Sequence, residues 1–496
     1  MTTSPNQPTI ADLMRDSGVG FGTSGARGLA DAMTDRICHA YTLGFLGYLE
    51  SQGLAPAGGS VGLAGDFRPS SPRILAACAQ AVRDSGRQPR YFGTIPTPAL
   101  VHFGIQSSLP TLMATGSHIP ADRNGIKFHT PLGEILKRDE AGILAQRVSP
   151  PEERFNAQGW FRDPAQLPAL DPAALDAYLG RYLEGFPADC LAGYRIGLYE
   201  HSSVARESLY RVLTGLGAQV ERLGSSEVFI PVDTEAIRPE DQALGAAWGA
   251  EGRFDALISA DGDGDRPLIG DQRGNWLRGD LAGILVARFL GATAVVTPVS
   301  SNSALELSGW FHHTQRTRIG SPYVIEGMLQ AMTQGADPVV GYEANGGFLT
   351  GTDWVRDGRH LTALPTRDAI LPVLGVLLLA RQLGCPLSEL GALLPPRYTA
   401  SDRLKEFPRE RAAARIAAWS ADPAPMAGFF DAGLGAPVHL NSIDGLRVTF
   451  SSGDILHLRQ SGNAPELRLY TEAADPARAQ HLLEDGLQRL EAWRRD

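Results

Sequence analysis

The segment VGLAGDFRPSSPRILAACAQAVRDSG, residues 61–86, joins a short β-rich run to an amphipathic helix. Ser71 and Pro72 read as the N-cap and first turn of that helix, and Gly86 as its end. PRYFGTIPTP (89–98) follows as a second strand, and TLMATGSHIP (111–120) as a third. The same order recurs. RIGLYEHSS (195–203) leads into the helical VARESLYRVLTGLG, then AQVERLGSS (218–226) and DALISADGDGD (255–265). It recurs again as AVVTPVSSNS (294–303), a short helix, HTQRTRIGSP (313–322) and PVVGYEANGG (338–347). Strands alternating with helices predict βαβ units on mostly parallel sheets, so three related, doubly wound α/β domains are expected in series.

Beyond about residue 396 the texture changes. RERAAARIAAWSAD reads as a helix, LRVTFSSGDILHLRQSGNAPELRLYTEAA (446–474) as strands with hairpin spacing, and ARAQHLLEDGLQRLEAWRR as a closing amphipathic helix. A smaller C-terminal α+β domain is expected there. Expected boundaries are 1–152, 153–272, 273–395 and 396–496, with the proline- and charge-rich stretch 147–168 as the first linker.

The 496 residues exceed one ordinary core. A formal net charge of −10, with both signs spread along the chain, argues against nucleic acid as a partner. The longest apolar run, AILPVLGVLLLA (369–380), is too short to span a bilayer and reads as a buried helix. Cys38, Cys78, Cys190 and Cys385 form no C-x-x-C pair and read as buried apolar residues in a reducing compartment. No signal peptide is evident, and a soluble cytoplasmic protein is expected.

In open α/β sheets, ligands sit beyond the carboxyl ends of the strands. The third strand of each unit delivers an unusual loop there: GSHIP, DGDGDRP and EANGG. In DGDGDRP, Asp261, Asp263 and Asp265 alternate with glycines, and three such carboxylates call for a divalent cation, Mg²⁺ or Ca²⁺ by their oxygen-only chemistry. An EF-hand does not fit, because Arg266 and Gln272 stand where Gly and Glu belong. RQSGNAPELR (459–468) offers Arg459 and Arg468 around a turn suited to a phosphate dianion. FGTSGARG (21–28) brings three glycines and Arg27 but lacks the G-K-[ST] ending of a Walker loop. Glu343 and Asn345 in GYEANGG have the chemistry to bind sugar hydroxyls. Ser117, in ATGSHIPADRNGIKF (114–128), has Lys127 ten positions on. Alone, a serine there is a turn or cap residue.

Taken in order along nearly the whole chain, these motifs resemble the α-D-phosphohexomutase superfamily of phosphomannomutases, phosphoglucomutases and phosphoglucosamine mutases. TGSHIPADRNGIK resembles its active-serine loop, DGDGDR its metal loop, GYEANGG its sugar loop and RQSGNAPELR its phosphate loop. GDFRPSS, GTIPTP and GDLAGILVARFL resemble scaffold segments. The resemblance implies a four-domain, heart-shaped enzyme that moves phosphate between C1 and C6 of a hexose, mannose being favoured, through a phosphoserine. Ser117 would carry the phosphoryl group, and Asp261, Asp263 and Asp265 would hold one Mg²⁺ that also touches Ser117. Arg27, Lys127 and His118 would serve catalysis. Arg266, Glu343, Asn345, Arg459, Ser461, Gly462, Asn463 and Arg468 would bind substrate. A hexose 1,6-bisphosphate would act as activator, with small hexose phosphates as the only partners and a monomer or weak dimer as the assembly, without nucleic acid or membrane.

Departures lie in the recognition loops. Ile119 stands where the family usually has Asn. The sugar loop, usually E-x-S-G-H, has Asn345 for Ser and Gly347 for His. The phosphate loop reads S-G-N-A-P in place of S-G-T-E-P. The family's loop histidine therefore has no counterpart; His118, or His129 just beyond Lys127, is the candidate to stand in for it, though either reads first as structural. The alternatives are a phosphoglucomutase or other hexose-phosphate mutase, a phosphatase, or a sugar-phosphate sensor. Binding alone would require neither Ser117 nor all three aspartates.

Overall fold

Val61, Leu63 and Ala64 are fully buried in the strand Ser60–Gly65, which has parallel neighbours on both sides. Such two-sided burial favours a continuous apolar run over alternation. The computed structural model describes residues 7–22, 25–56, 58–461 and 465–495. Across the first sheet the strands run Gly20–Phe21, Ala26–Leu29, Arg123–Thr130, Thr111–Ala114, Ser60–Gly65 and Gln88–Tyr91. Gly133–Glu134 pairs on Arg123–Thr130. The second sheet runs Pro267–Gly270, Ala256–Ala260, Arg195–His201 and Gln219–Ser225. The third runs His313–Thr317, Ala294–Pro298, Val339–Tyr342, Phe348–Thr350 and Leu364–Asp368. In each, three parallel strands meet antiparallel strands on one side only.

The helix after the first strand begins one residue earlier than expected. It spans Ser71–Asp84 with Ser70 at the N-cap, and neither serine caps it through its side chain. The Ser71 hydroxyl instead donates to Asp66 Oδ1 at 2.6 Å and accepts from Asn124 Nδ2 at 3.0 Å. The apolar run forms the helix Ile370–Leu383, buried over its first eleven residues. Gly375 lets it approach Val286 of the helix Gly279–Leu290, where an added Cβ would stand 3.0 Å away. Among the described residues no single helix is long and apolar enough to cross a membrane. Cys38 and Cys78 are buried, whereas Cys190 and Cys385 are only half-buried.

One apolar core runs from Ala64 through Leu198 and Leu285 to Leu394, so the three α/β units share packing. A second core belongs to the first unit alone. The C-terminal unit has its own core around Phe407, Trp419, Phe430 and Leu456, under an antiparallel sheet ordered Tyr398–Lys405, Glu466–Ala473, Ile455–Gln460, Leu446–Phe450 and Pro437–Asn441. Its contacts with the third unit include several polar ones: Ser303 Oγ donates to Glu472, Ile319 N to Asp444 Oδ2 (3.0 Å) and Arg318 Nε to the Ile443 carbonyl (3.1 Å).

Candidate active site

Ser117 leaves the strand Thr111–Ala114 in the left-handed region, at φ +55°. A non-glycine residue there costs about 1–3 kcal/mol and needs support from its surroundings. Arg68 supplies much of it. One Arg68 guanidinium donates to the carbonyls of Ser117 (2.9 Å), Ile119 (2.6 Å), Pro120 (2.7 Å) and Arg123 (3.1 Å), and its Nε to Asp66 Oδ2 (3.1 Å). Thr115 Oγ1 accepts the Ser117 N–H at 2.8 Å and donates to Asp66 Oδ2 at 2.7 Å. The loop is thus fixed through its backbone, leaving the hydroxyl for other work.

That hydroxyl donates to Asp261 Oδ2 at 2.6 Å, across the boundary between the first and second sheets. Asp261, Asp263 and Asp265 follow the buried strand Ala256–Ala260 and are themselves fully buried. Gly262 permits the approach, since a Cβ there would stand 2.7 Å from the Ser117 carbonyl. Gly264, at φ +69°, turns the loop. Thr97 closes it from the first unit, its N–H reaching the Asp263 carbonyl (2.9 Å) and its hydroxyl Asp263 Oδ2 (2.5 Å).

Lys127 Nζ donates to Asp263 Oδ2 and Asp265 Oδ2, both at 2.6 Å. Burial and the charges of Asp263 and Asp265 drive the Asp261 carboxyl well above the usual range. Burial also works against the Asp265 charge, but Arg367, Lys127 and Arg266 overcome it and hold that carboxyl low. One oxygen of each clustered aspartate lies within 4.8 Å of the others. Asp263 Oδ1 and Asp265 Oδ1 are buried without a hydrogen-bond partner among the described residues. Two carboxylate oxygens without hydrogen bonds, one of them 3.7 Å from Arg266 Nε, beside a third carboxylate fit a hard divalent cation.

His118 lies beside the serine, its Nδ1 3.3 Å from Ser117 Oγ. Arg266 Nη1 donates to that same Nδ1 at 2.9 Å. A guanidinium is always the donor, so Nδ1 carries the lone pair, and the serine proton goes to Asp261. Burial, then Arg266 and Arg27, push the imidazole well below its ordinary value, so it is neutral. His129 is remote in role: its Nδ1 meets Thr111 Oγ1 within the sheet, and burial pushes it down to about 4. Arg27 is half-buried near Arg266, Arg367, Asp263 and Asp265, its pKa lowered to about 10 by desolvation and then by the two arginines.

The sugar loop arrives from the third unit. Gly279 opens its helix against this loop, where a Cβ would stand 2.2 Å from Gly346 N. Glu343 and Asn345 are buried, and Thr234 donates to the Asn345 carbonyl at 2.6 Å. In the C-terminal unit, Arg459 and Arg468 are direct partners on neighbouring strands, with Arg403 opposite Arg468 on the next. Arg459 pairs with Asp444 at 2.9 Å, and Ser461 N donates to the Glu466 carbonyl at 2.9 Å. Gly462 and Asn463, like Thr23 and Ser24, lie outside the described residues.

Sequence reasoning missed Arg68, Thr97, Arg367 and Arg403. GDFRPSS and GTIPTP contain the first two, and their charged or hydroxylic member was the available signal. Arg367 and Arg403 sit in no distinctive motif.

The fold and these loops define an enzyme of the phosphoryl-transfer class. Models for phosphoglucomutase/phosphomannomutase match residues 18–153 (α/β/α domain I), 278–398 (α/β/α domain III) and 400–487 (C-terminal domain). A phosphomannomutase of Sinorhizobium fredii is 44% identical over 94% of this chain and 98% of its own. One from Salmonella muenchen is 40% identical over 97% of each. Among solved structures, a putative phosphomannomutase from Thermus thermophilus superposes with a TM-score of 0.73 at 21% identity, over 95% of this chain and 99% of that one. An N-acetylphosphoglucosamine mutase of Aspergillus fumigatus, solved with GlcNAc-6P and magnesium, gives 0.57 at 14% identity over 97% and 99%. The chain belongs to the phosphoglucomutase/phosphomannomutase family.

Proposed function

We propose that this protein is a phosphomannomutase, interconverting mannose 6-phosphate and mannose 1-phosphate through phospho-Ser117 and a hexose 1,6-bisphosphate that also primes the enzyme. The observation that carries the reading is the buried contact of Ser117 Oγ with Asp261, 2.6 Å, inside a cluster with two orphaned carboxylate oxygens. The preference for mannose is supported by the two relatives at 40–44% identity, both phosphomannomutases.

Phosphoryl transfer asks mainly for alignment and charge stabilisation. Asp261, Asp263 and Asp265 would hold one Mg²⁺, which supplies Lewis-acid neutralisation of charge on the transferring phosphoryl. Arg27 and Arg266 stabilise the same group, and His118, neutral, keeps Arg266 at the serine. As a sugar hydroxyl attacks phosphorus, the P–O bond to Ser117 breaks. Ser117 Oγ then takes a proton from Lys127, and the hydroxyl proton passes to Glu343, which with Asn345 reads the sugar. Arg459, Arg468, Ser461, Gly462 and Asn463 grip the substrate's non-reacting phosphate. The bisphosphate turns round and returns its other phosphoryl to Ser117. The separate core and polar contacts of the C-terminal unit support its moving during that turn. A cytoplasmic monomer or weak dimer completes the reading.

³¹P NMR with mannose 1-phosphate and glucose 1-phosphate in one tube, with Mg²⁺ and a trace of bisphosphate, tests it. Faster conversion of the mannose ester is expected; glucose first would make it a phosphoglucomutase, and no conversion of either would end the phosphomannomutase reading and leave a different hexose or a sugar-phosphate sensor.

A further inference from the structure

Arg367 rises from the strand Leu364–Asp368 and runs across Gly347 on the neighbouring strand's approach. A Cβ on residue 347 would stand 2.7 Å from both Cγ and Cδ of Arg367, closer than side chains tolerate. At its far end, Nε and Nη2 meet Asp265 Oδ2 at 3.1 and 2.9 Å, while Nη1 meets Glu343 Oε2 at 3.1 Å. Arg367 is 2% exposed. One guanidinium therefore ties the metal loop of the second unit to the sugar loop of the third.

All three of its nitrogens meet carboxylates, which gives it a role through its neighbours. Two buried carboxylates facing one cleft repel, and each needs a fixed cation to keep its charge and direction. Lys127 serves Asp265 but is not among the partners of Glu343; Arg367 serves both. Its planar fork can hold two carboxylates at set directions, which a lysine ammonium cannot.

We infer that Arg367 is a positioning residue that fixes the Glu343 carboxylate relative to Asp265, and that Gly347 exists in this chain to give the Arg367 stem its path. This rests on the mutase reading. The histidine that the sugar loop of similar enzymes carries at this position has no room here. Positions 347 and 367 form one unit, in which a side chain at the first excludes the arginine at the second.

The test is a double-mutant cycle of wild type, Arg367→Gly, Gly347→His and the combined variant, with Arg367→Lys alongside. Each is assayed for hexose-phosphate mutase kcat and KM and for thermal midpoint. Arg367→Gly should raise KM, and either single change should lower kcat/KM by about tenfold or more. The combined variant should exceed the product of the two single effects by about tenfold, because removing the arginine clears the space the histidine needs. Strict additivity in both activity and thermal midpoint would overturn the inference. If a single variant does not fold, Arg367→Lys decides: it should raise KM with little change in midpoint, and an unchanged KM would overturn the inference. Failure of wild type to turn over any hexose phosphate would instead sink the mutase reading, and the midpoint cycle would still report whether the two positions share one space.

Discussion

Asp263 Oδ1 and Asp265 Oδ1 illustrate how single atoms carry the functional argument. Each is buried without a hydrogen bond among the described residues, although burial normally costs about 1–3 kcal/mol for an unsatisfied polar atom. A cation that binds only the folded chain would relieve both, so Mg²⁺ should raise the thermal midpoint in proportion to its binding. Chelation should stop turnover, and added Mg²⁺ should restore it. Asp263→Asn should bind Mg²⁺ at least about tenfold more weakly and lose most of the midpoint gain. An equal gain in the variant would remove the cation from this cluster. The aspartates were legible in the sequence because three carboxylates alternating with glycine repel one another unless a cation sits between them. Arg367 was not, because its meaning lies in a distant stretch of chain, at Gly347 and Glu343.

Among the elements, the serine loop depends on one glycine. A Cβ at Gly116 would stand 2.7 Å from Arg68 Cζ. Arg68 has little freedom to yield, since its guanidinium holds four backbone carbonyls and Asp66. Gly116→Ala should therefore displace Arg68 and release Ser117 from φ +55°, lowering kcat by about a hundredfold, as misplacement of a reacting group does. Stopped or steady-state assays with an intact circular-dichroism spectrum would check this; an unchanged kcat would mean that Arg68 does not set the loop. Strand and helix order was readable from apolar runs and turn residues. Ser71 was misread as a cap because nothing local reveals that Asp66, five residues earlier, would claim its hydroxyl.

At the scale of the whole molecule, acid should loosen the fold through its buried histidines. His102, His129, His201 and His457 are each pushed down from 6.5 to about 4, by burial first. The unfolded chain therefore takes up protons near pH 6.5 that the folded chain refuses until about 4. Stability is fully present above the unfolded value and is lost as pH falls through this window, with a slope approaching about 1.4 kcal/mol per pH unit for each histidine. Glu134 joins this loss at lower pH. Burial opposes its charge, but Arg367 and bonds from Ser321 and Thr366 hold it low, so its clamp of the first unit on the third fails only in stronger acid. Urea midpoints should fall steeply between pH 7 and 5, and a flat profile would contradict the burial of these rings. The repeated α/β plan was legible because each repeat carries its own strand and turn signals. The shared core was not, since packing between Ala64 and Leu394 leaves no local mark.

The central claim is that Ser117 carries the phosphoryl group between sugar positions. Wild type and Ser117→Ala should be incubated with hexose 1,6-bisphosphate and Mg²⁺, digested and read by mass spectrometry, then challenged with mannose 1-phosphate. The account predicts one phosphoryl group on the peptide containing residue 117, its discharge on adding the monophosphate, and neither label nor turnover in Ser117→Ala. Turnover in Ser117→Ala at a rate near wild type, or label on another residue of an active enzyme, would contradict it.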